Sequence, residues 1–497
     1  MAILPANVLI ADSSADWMRL ATPVVLAQDL APARNLVPVL VSDESQVYAA
    51  QPAEVLRVTL EGRGKGIELN ATASSLATQR NVYTGSEQTN EADLIGSLDK
   101  LARALDSHAA SFGTHNPEAL RAFAAAAFSA DPNTKIESLK AAISADPSFG
   151  LAYSLLVETM AAQNSPELES ILAKADGQRQ TFSPTDRLRY DFVRARVLHA
   201  PLEKQVSAGL ALTNLLPNDG EALAATAASL FLLAKPADAA RLMDRAIALN
   251  PANATLRQQF GNGLIANRQF ARAEKVLSSE PADPALLPAL AFCIFFEGDR
   301  ARATSTYERY LNTVPNEDAR TLLRASWKAH TGDRAGGIAS LNGARFQDPR
   351  LAAYAKTELV VLYLLDSDRE GARQASENAG PIAALLAAGA SSADEWQGRV
   401  EGLPDAVANP AVKRTLLADG DFLFGFYPQA VELWREADRA AGGGDLRAQV
   451  MLAASLRAAG RAAETGAIRV QPFVPDLNDL FSIISFSQLE KLMTQAG

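Results

Sequence analysis

GEALAATAASLFLLAKPADAARLMDRAIALNP, residues 220–251, is the stretch whose reading decides the fold. Leu223, Ala227 and Leu230 fall on one side of a first helix, Ala239, Met243 and Ala246 on one side of a second, and Asn250-Pro251 stops it. Small residues at Ala227, Ala239 and Ala246 let two helices approach closely, while the large ones fill the gap between them. One such pair has no way to cover its own apolar side, so several must stack. The chain supplies them at a fixed interval. Pro217 and Pro251 lie 34 residues apart, Pro281, Pro315 and Pro349 continue at 34 and 34, and Gly298-Asp-Arg-Ala301 returns 34 later as Gly332-Asp-Arg-Ala335.

This pattern resembles the tetratricopeptide repeat. The clearest copies are Gly220–Pro251, Pro284–Pro315 and Asp318–Pro349. Ala254–Ser279, Ala353–Ala379 and Ala411–Ala437 also fit, and Asn116–Pro147, Gly150–Ala175, Pro184–Pro217 and Asp445–Val470 fit more loosely. About ten repeats are expected over 116–475, with an irregular stretch near 380–410. The resemblance implies a mostly α-helical solenoid of antiparallel helix pairs.

Residues 1–112 read differently, as a small α/β domain, which makes the whole chain α+β. Ala2–Ile10 is a short apolar run expected to form a strand. A helix follows from the Asp12-Ser-Ser-Ala-Asp16 caps to about Leu30. Strands are expected at Val37–Val41, Val55–Leu60, Ile67–Ala71 and about Gln79–Thr84, and a helix from Glu91 to His108. Gly62-Arg-Gly-Lys-Gly66 invites a phosphate-loop reading, but a strand follows it rather than a helix, so a hairpin is expected. The order suggests two layers, with helices on one side of a mixed sheet. Ala2-Ile-Leu-Pro-Ala-Asn7 before Asp16-Trp17 resembles the N-terminal domain of TolB and TolB-like proteins, whose "LPF-x-N" strand precedes the first helix; here Ala6 stands in place of the phenylalanine. Asn116-Pro-Glu-Ala-Leu-Arg-Ala-Phe123 and Phe182-Ser-Pro-Thr-Asp-Arg-Leu-Arg189 resemble that family's passage into its repeats.

Composition narrows the function. The 497 residues carry 47 basic and 57 acidic side chains, a net charge of −10, which disfavours a general nucleic-acid binder. The single cysteine, Cys293, excludes an internal disulfide and reads as a buried small hydrophobe. His108, His115, His199 and His330 are the only histidines, and they show no metal-ligand or triad spacing. No cofactor, metal or catalytic residue is expected, and no stretch is long and apolar enough to span a bilayer. Arg187, Arg189, Arg194 and Arg196 form either a solvated face or a grip on an acidic partner.

Tetratricopeptide arrays usually line their concave groove with fixed positions of each first helix. Carried onto this chain, the resemblance gives a candidate partner groove of Phe231, Gln258, Asn262, Ile265, Phe292, Phe295, Leu322, Ser326, Tyr354 and Val361. The basic partners of a carboxylate clamp are not in register with Asn262. The alternative is that the apolar members are simply packed between helices. A final apolar helix is expected over 476–497, with Leu480, Ile483, Ile484, Leu489, Leu492 and Met493. It caps or docks onto the array, or joins two copies of the chain. The expected function is a non-catalytic bacterial scaffold that binds a protein or peptide partner. The competing reading is the sensory or effector part of a larger membrane-bound kinase or transcription regulator. A periplasmic or otherwise extracytoplasmic location is expected, with the cytoplasm as the alternative.

Overall fold

The computed structural model describes residues 1–467 apart from 42, 45–46, 48–51, 65, 164, 251–252, 279–282 and 441–445. The apolar segment over 476–497 therefore lies outside the described residues.

The first strand is broken where one continuous strand was expected. β1 (Ala2–Ile3) and β2 (Asn7–Leu9) are separated by Leu4-Pro5-Ala6. The break has a partner in α1 (Met18–Asp29), which contains Pro23. A proline has no N–H, so the carbonyl four residues earlier loses its helical bond. That carbonyl belongs to Arg19, and it accepts the Ala6 N–H at 2.9 Å. The chain ahead of α1 is a 3-10 turn at Ser13–Ala15, capped by Asp12, so the α-helix starts later than the caps suggested.

β3 (Val39–Leu40), β4 (Glu54–Arg63), β5 (Gly66–Ser75) and β6 (Asn81–Thr89) complete a sheet of order β3-β1-β4-β5-β6, with β2 also on β4. β1 runs parallel to β3 and β4, whereas β4, β5 and β6 form an antiparallel meander. The glycine-rich segment is the β4–β5 hairpin: Arg63 faces Gly66, and Gly64 takes the φ of +63° that a two-residue loop demands. Ile67, Leu69, Ala71 and Ala73 alternate inward, at the strand period of two. They meet Leu26 of α1, Leu30 just after it, and Leu94, Ile95 and Leu98 of α2 (Leu94–Leu105) in one core.

Twenty-one α-helices follow among the described residues, most of them in pairs. In unit one they are α3 (Pro117–Ala127) with α4 (Pro132–Ala145), α5 (Gly150–Ala162) with α6 (Leu168–Gln178), and α7 (Pro184–Val197) with α8 (Leu202–Leu215). Next come α9 (Gly220–Leu232) with α10 (Pro236–Leu249), then α11 (Ala254–Ala266) with α12 (Phe270–Leu277). The later pairs are α13 (Leu287–Phe296) with α14 (Arg300–Leu311), α15 (Glu317–His330) with α16 (Arg334–Gly343), and α17 (Pro349–Leu365) with α18 (Arg369–Ala375). The stretch expected to be irregular forms the two short helices α19 (Pro381–Ala387) and α20 (Ala393–Glu401), and α21 (Pro410–Leu423) with α22 (Tyr427–Ala440) and α23 (Leu446–Ala458) close the described chain. Leu223, Ala227, Leu230, Ala239, Met243 and Ala246 are all buried, as their spacing required. The chain divides into two compact units: Met1–Leu230 with Ala237–Leu256, and Phe231–Pro236 with the residues from Arg257 on.

Within the second unit the repeated Gly-Asp-Arg has a structural meaning. Gly298 and Gly332 turn the chain at φ of +95° and +115°, and Asp299 and Asp333 then cap α14 and α16. The arginine reaches the next repeat: Arg300 donates to the Thr331 carbonyl at 3.1 Å, and Arg334 pairs with Asp366. A third copy, Ser367-Asp368-Arg369, puts a serine at φ +61° where the others use glycine. Gly337 serves close approach instead, since a Cβ there would lie 2.5 Å from the Ala329 Cβ and 2.8 Å from the Ala325 carbonyl.

In the first unit the hydrophobic core does not stop at residue 112. One cluster runs from Ile3 through α1 and α2 into α3–α7. Phe112, Phe123 and Phe149 join it through ring centroids 5.0–6.3 Å apart. Beside them sit two fully buried carboxyls, Asp29 of α1 and Asp99 of α2. Asp99 accepts the Phe112 N–H, and the Asp29 carbonyl accepts that of Ala110, so the chain entering the repeats is tied to this pair. Burial, and then the Asp99 carboxylate, push the Asp29 carboxyl up to about 10, against a weaker opposing pull from Arg103.

Two measurements test these points. Ser367→Gly should raise stability by about 1 kcal/mol by removing a left-handed residue that carries a Cβ. Gly337→Ala should cost about 1–3 kcal/mol through overpacking. Denaturant melts read both, and a reversed order would contradict the turn geometry. The folded chain also keeps a proton on Asp29 that the unfolded chain releases above about pH 4. Its contribution is full below that pH and is lost as pH rises towards about 10. Asp29→Asn should flatten the fall of Tm between about pH 5 and pH 9; parallel profiles would show that the proton is held elsewhere.

Candidate functional site

The structure spreads the expected groove residues over interior and surface. Phe231, Ile265, Phe292, Phe295, Leu322, Ser326 and Val361 are buried, whereas Gln258, Asn262 and Tyr354 are half-buried. The buried members are engaged with neighbouring helices. Phe231 lies 6.2 Å from Phe260, Phe292 packs on Trp327 at 5.2 Å, and Phe295 packs on Phe296 and Trp327 at 5.7 and 6.3 Å. The apolar strip expected in an open groove is therefore interior packing, because the repeats approach closely enough to bury their large first-helix side chains. Gln258 and Asn262 are half-buried on α11. The Asn262 Oδ1 has no hydrogen-bond partner, a cost of about 1–3 kcal/mol for a buried acceptor.

Ser326 is fully buried and donates to the Glu358 Oε2 at 2.7 Å. His330, one turn further along α15, places Nε2 3.4 Å from the Glu358 Oε1. Serine, histidine and glutamate together invite a catalytic reading. The serine, however, bonds the glutamate rather than the histidine, and a nucleophile needs access to substrate. All three side chains are sealed between α15 and α17, where they satisfy one another. The signal was present in the sequence as a serine and a histidine spaced four apart on an apolar face, and as Glu358 leading the apolar run Leu359-Val-Val-Leu362. Cys293 is buried too, and burial pushes its thiol up to about 12, far from nucleophilic. Among the described residues no group of three or more His, Cys, Asp or Glu is placed to hold a metal.

The four arginines of α7 behave differently from either sequence expectation. Arg194 and Arg196 pair with Asp176 and Glu158, Arg189 pairs with Asp219 at 2.6 Å and donates to Gln28, and Arg187 donates to the Gln180 and Phe182 carbonyls. They hold the first unit together internally. Two of them, Arg189 and Arg196, also face a pocket of about 250 Å³ between α1, α3, α5, α7 and α9. Lys135, Glu158 and Glu221 complete its charged lining, and Leu151, Leu155, Phe192 and Leu212 line its apolar wall. Burial raises the Glu158 carboxyl, Arg196 lowers it, and Glu221 raises it again. Near the pocket, burial lifts Asp186 to about 6 against the opposing charge of Arg189.

No protein-family model matches the chain, and no curated protein matches it. Among solved structures it is similar to a chain of the Naa15/Naa10 complex bound to HypK-THB, at 13% identity over 68% of this chain with a TM-score of 0.26; it spans 60% of that chain's length. It is also similar to a chain of the APC/C Cut9–Hcn1 hetero-tetramer, at 14% identity over 81% of each chain with a TM-score of 0.27. For the human IFIT1 dimer with PPP-AAAA the figures are 12% identity, 76% of this chain, 90% of that one and a TM-score of 0.28. Likeness at this level carries no ligand or partner across. The helix pairs themselves define the class, a mostly helical protein with a small mixed sheet at its N-terminus. None of its described helices is long and apolar enough to cross a membrane.

Glu358→Ala should cost at least about 1–3 kcal/mol, because it removes the buried acceptor of the Ser326 hydroxyl. Glu358→Gln, which preserves an acceptor, should cost clearly less. Thermal melts of both variants read this; equal losses would mean that charge rather than hydrogen bonding holds the cluster.

Proposed function

We propose that this chain is a non-catalytic scaffold: tetratricopeptide-like helix pairs that bind a protein or peptide segment, joined to a TolB-like α/β module. The carrying observation is at α11, where Gln258 and Asn262 lie one turn apart and half-buried while Ile265 further along the helix is buried. Amide side chains one turn apart are suited to bonding the backbone of an extended segment. The break at Leu4-Pro5-Ala6 and its bond to Arg19 support the TolB-like reading, since they place a proline-interrupted strand directly against the first helix. A periplasmic or otherwise extracytoplasmic setting goes with that module.

The test is a crosslinking pull-down with the intact chain beside Gln258→Ala/Asn262→Ala. Phe295 is left untouched because it packs on Trp327. A partner captured by the intact chain and lost at least about tenfold with the folded double variant is the expected result. The same partners on both baits would overturn the assignment to α11.

A further inference from the structure

We propose that the pocket of the first unit binds a small zwitterion with an apolar side chain, of the size and chemistry of a free apolar L-amino acid. This goes beyond the scaffold reading and does not rest on it. The pocket, about 250 Å³, is lined by five charged side chains, Lys135, Arg189, Arg196, Glu158 and Glu221. Arg189 is committed to Asp219 at 2.6 Å, which leaves two cations and two carboxylates. Their sum is zero. A ligand with net charge would bring an unbalanced charge into a partly desolvated space, whereas a zwitterion brings none.

The lining can address both ends of such a ligand. Arg196 gives one Nη to Glu158 at 3.2 Å, and its guanidinium is held over the Phe192 ring at 5.5 Å. A guanidinium has five N–H donors, and that bond uses one, so donors remain for a carboxylate. Glu158 is raised by burial and by Glu221, and an ammonium between the two carboxylates would relieve both effects. The apolar wall of Leu151, Leu155, Phe192 and Leu212 then receives the side chain. Because Gln28 of α1 lines the same pocket as α5, α7 and α9, the ligand would bridge the α/β domain to the first helices of the second, third and fourth pairs. Such a bridge converts ligand concentration into stability at the seam.

Calorimetric titration and thermal melts of the full chain with L-leucine, L-methionine and L-phenylalanine test this. At least one should bind and raise Tm. N-acetyl-L-leucine, which lacks the ammonium, and L-leucinamide, which lacks the carboxylate, should each bind at least about tenfold more weakly than L-leucine, since each loses a charge-assisted bond. Glu158→Gln and Arg196→Gln should weaken binding by about the same factor, whereas Arg194→Gln, whose parent side chain pairs with Asp176, should not. The analogue series needs no substitution, so it decides the matter even if a variant fails to fold. Absence of binding by all three amino acids at millimolar concentration, or binding of either analogue as tight as that of L-leucine, would overturn the proposal.

Discussion

A helix hairpin has one apolar side too many. Its two helices cover each other along one seam and leave a second stripe that only another hairpin can bury. In this chain the requirement is met with small residues at the contacts, so that backbones approach until a single added methyl group would collide, as at Gly337 against Ala329. Close approach draws the large first-helix side chains inside as well. Phe292 and Trp327, both on first helices, pack together, and Tyr307 of the second helix α14 stacks on Trp327 at 4.3 Å. What packing leaves outside the interior includes the half-buried amides Gln258 and Asn262 on α11 and the charged pocket of the first unit.

The turn motif acts as the positional clamp of the array. A glycine at positive φ, an aspartate cap and an arginine reaching the following repeat occupy three consecutive positions, so one short motif ends a helix, starts the next and ties two repeats together. In the first unit the same need is met by other means. The α/β domain shares its core with α3–α7, and the Asp29–Asp99 pair accepts the backbone of the connecting chain. The connection is thus a packed seam rather than a linker. The charged pocket belongs to this arrangement: α1 contributes Gln28, and the helix pairs contribute the ions.

Much of the architecture was legible in the residues. The helix pairs, their interval and the β4–β5 hairpin follow from apolar spacing, proline placement and glycine at a two-residue turn, all of which act over a few neighbours. The split of the first strand was not legible, because it depends on Pro23 leaving a carbonyl free for Ala6, two positions that are distant along the chain. The groove positions illustrate the other limit. Register correctly placed Ser326 on the first helix of its repeat, but whether that face looks outward or into the next helix depends on the distance between helices. Glu358 settled it by reaching across from α17.

By itself, then, the sequence determined the period, the succession of helix pairs and the mostly helical character of the fold, since local backbone preferences and one-sided hydrophobicity are properties of short segments. Only the tertiary structure decided which side chains are interior, that the four arginines of α7 are internally paired, and that charges from α4, α5, α7 and α9 meet in one pocket. The physical reason is that burial and charge pairing are set by distances between segments far apart in the chain, and those distances exist only once the pairs have stacked.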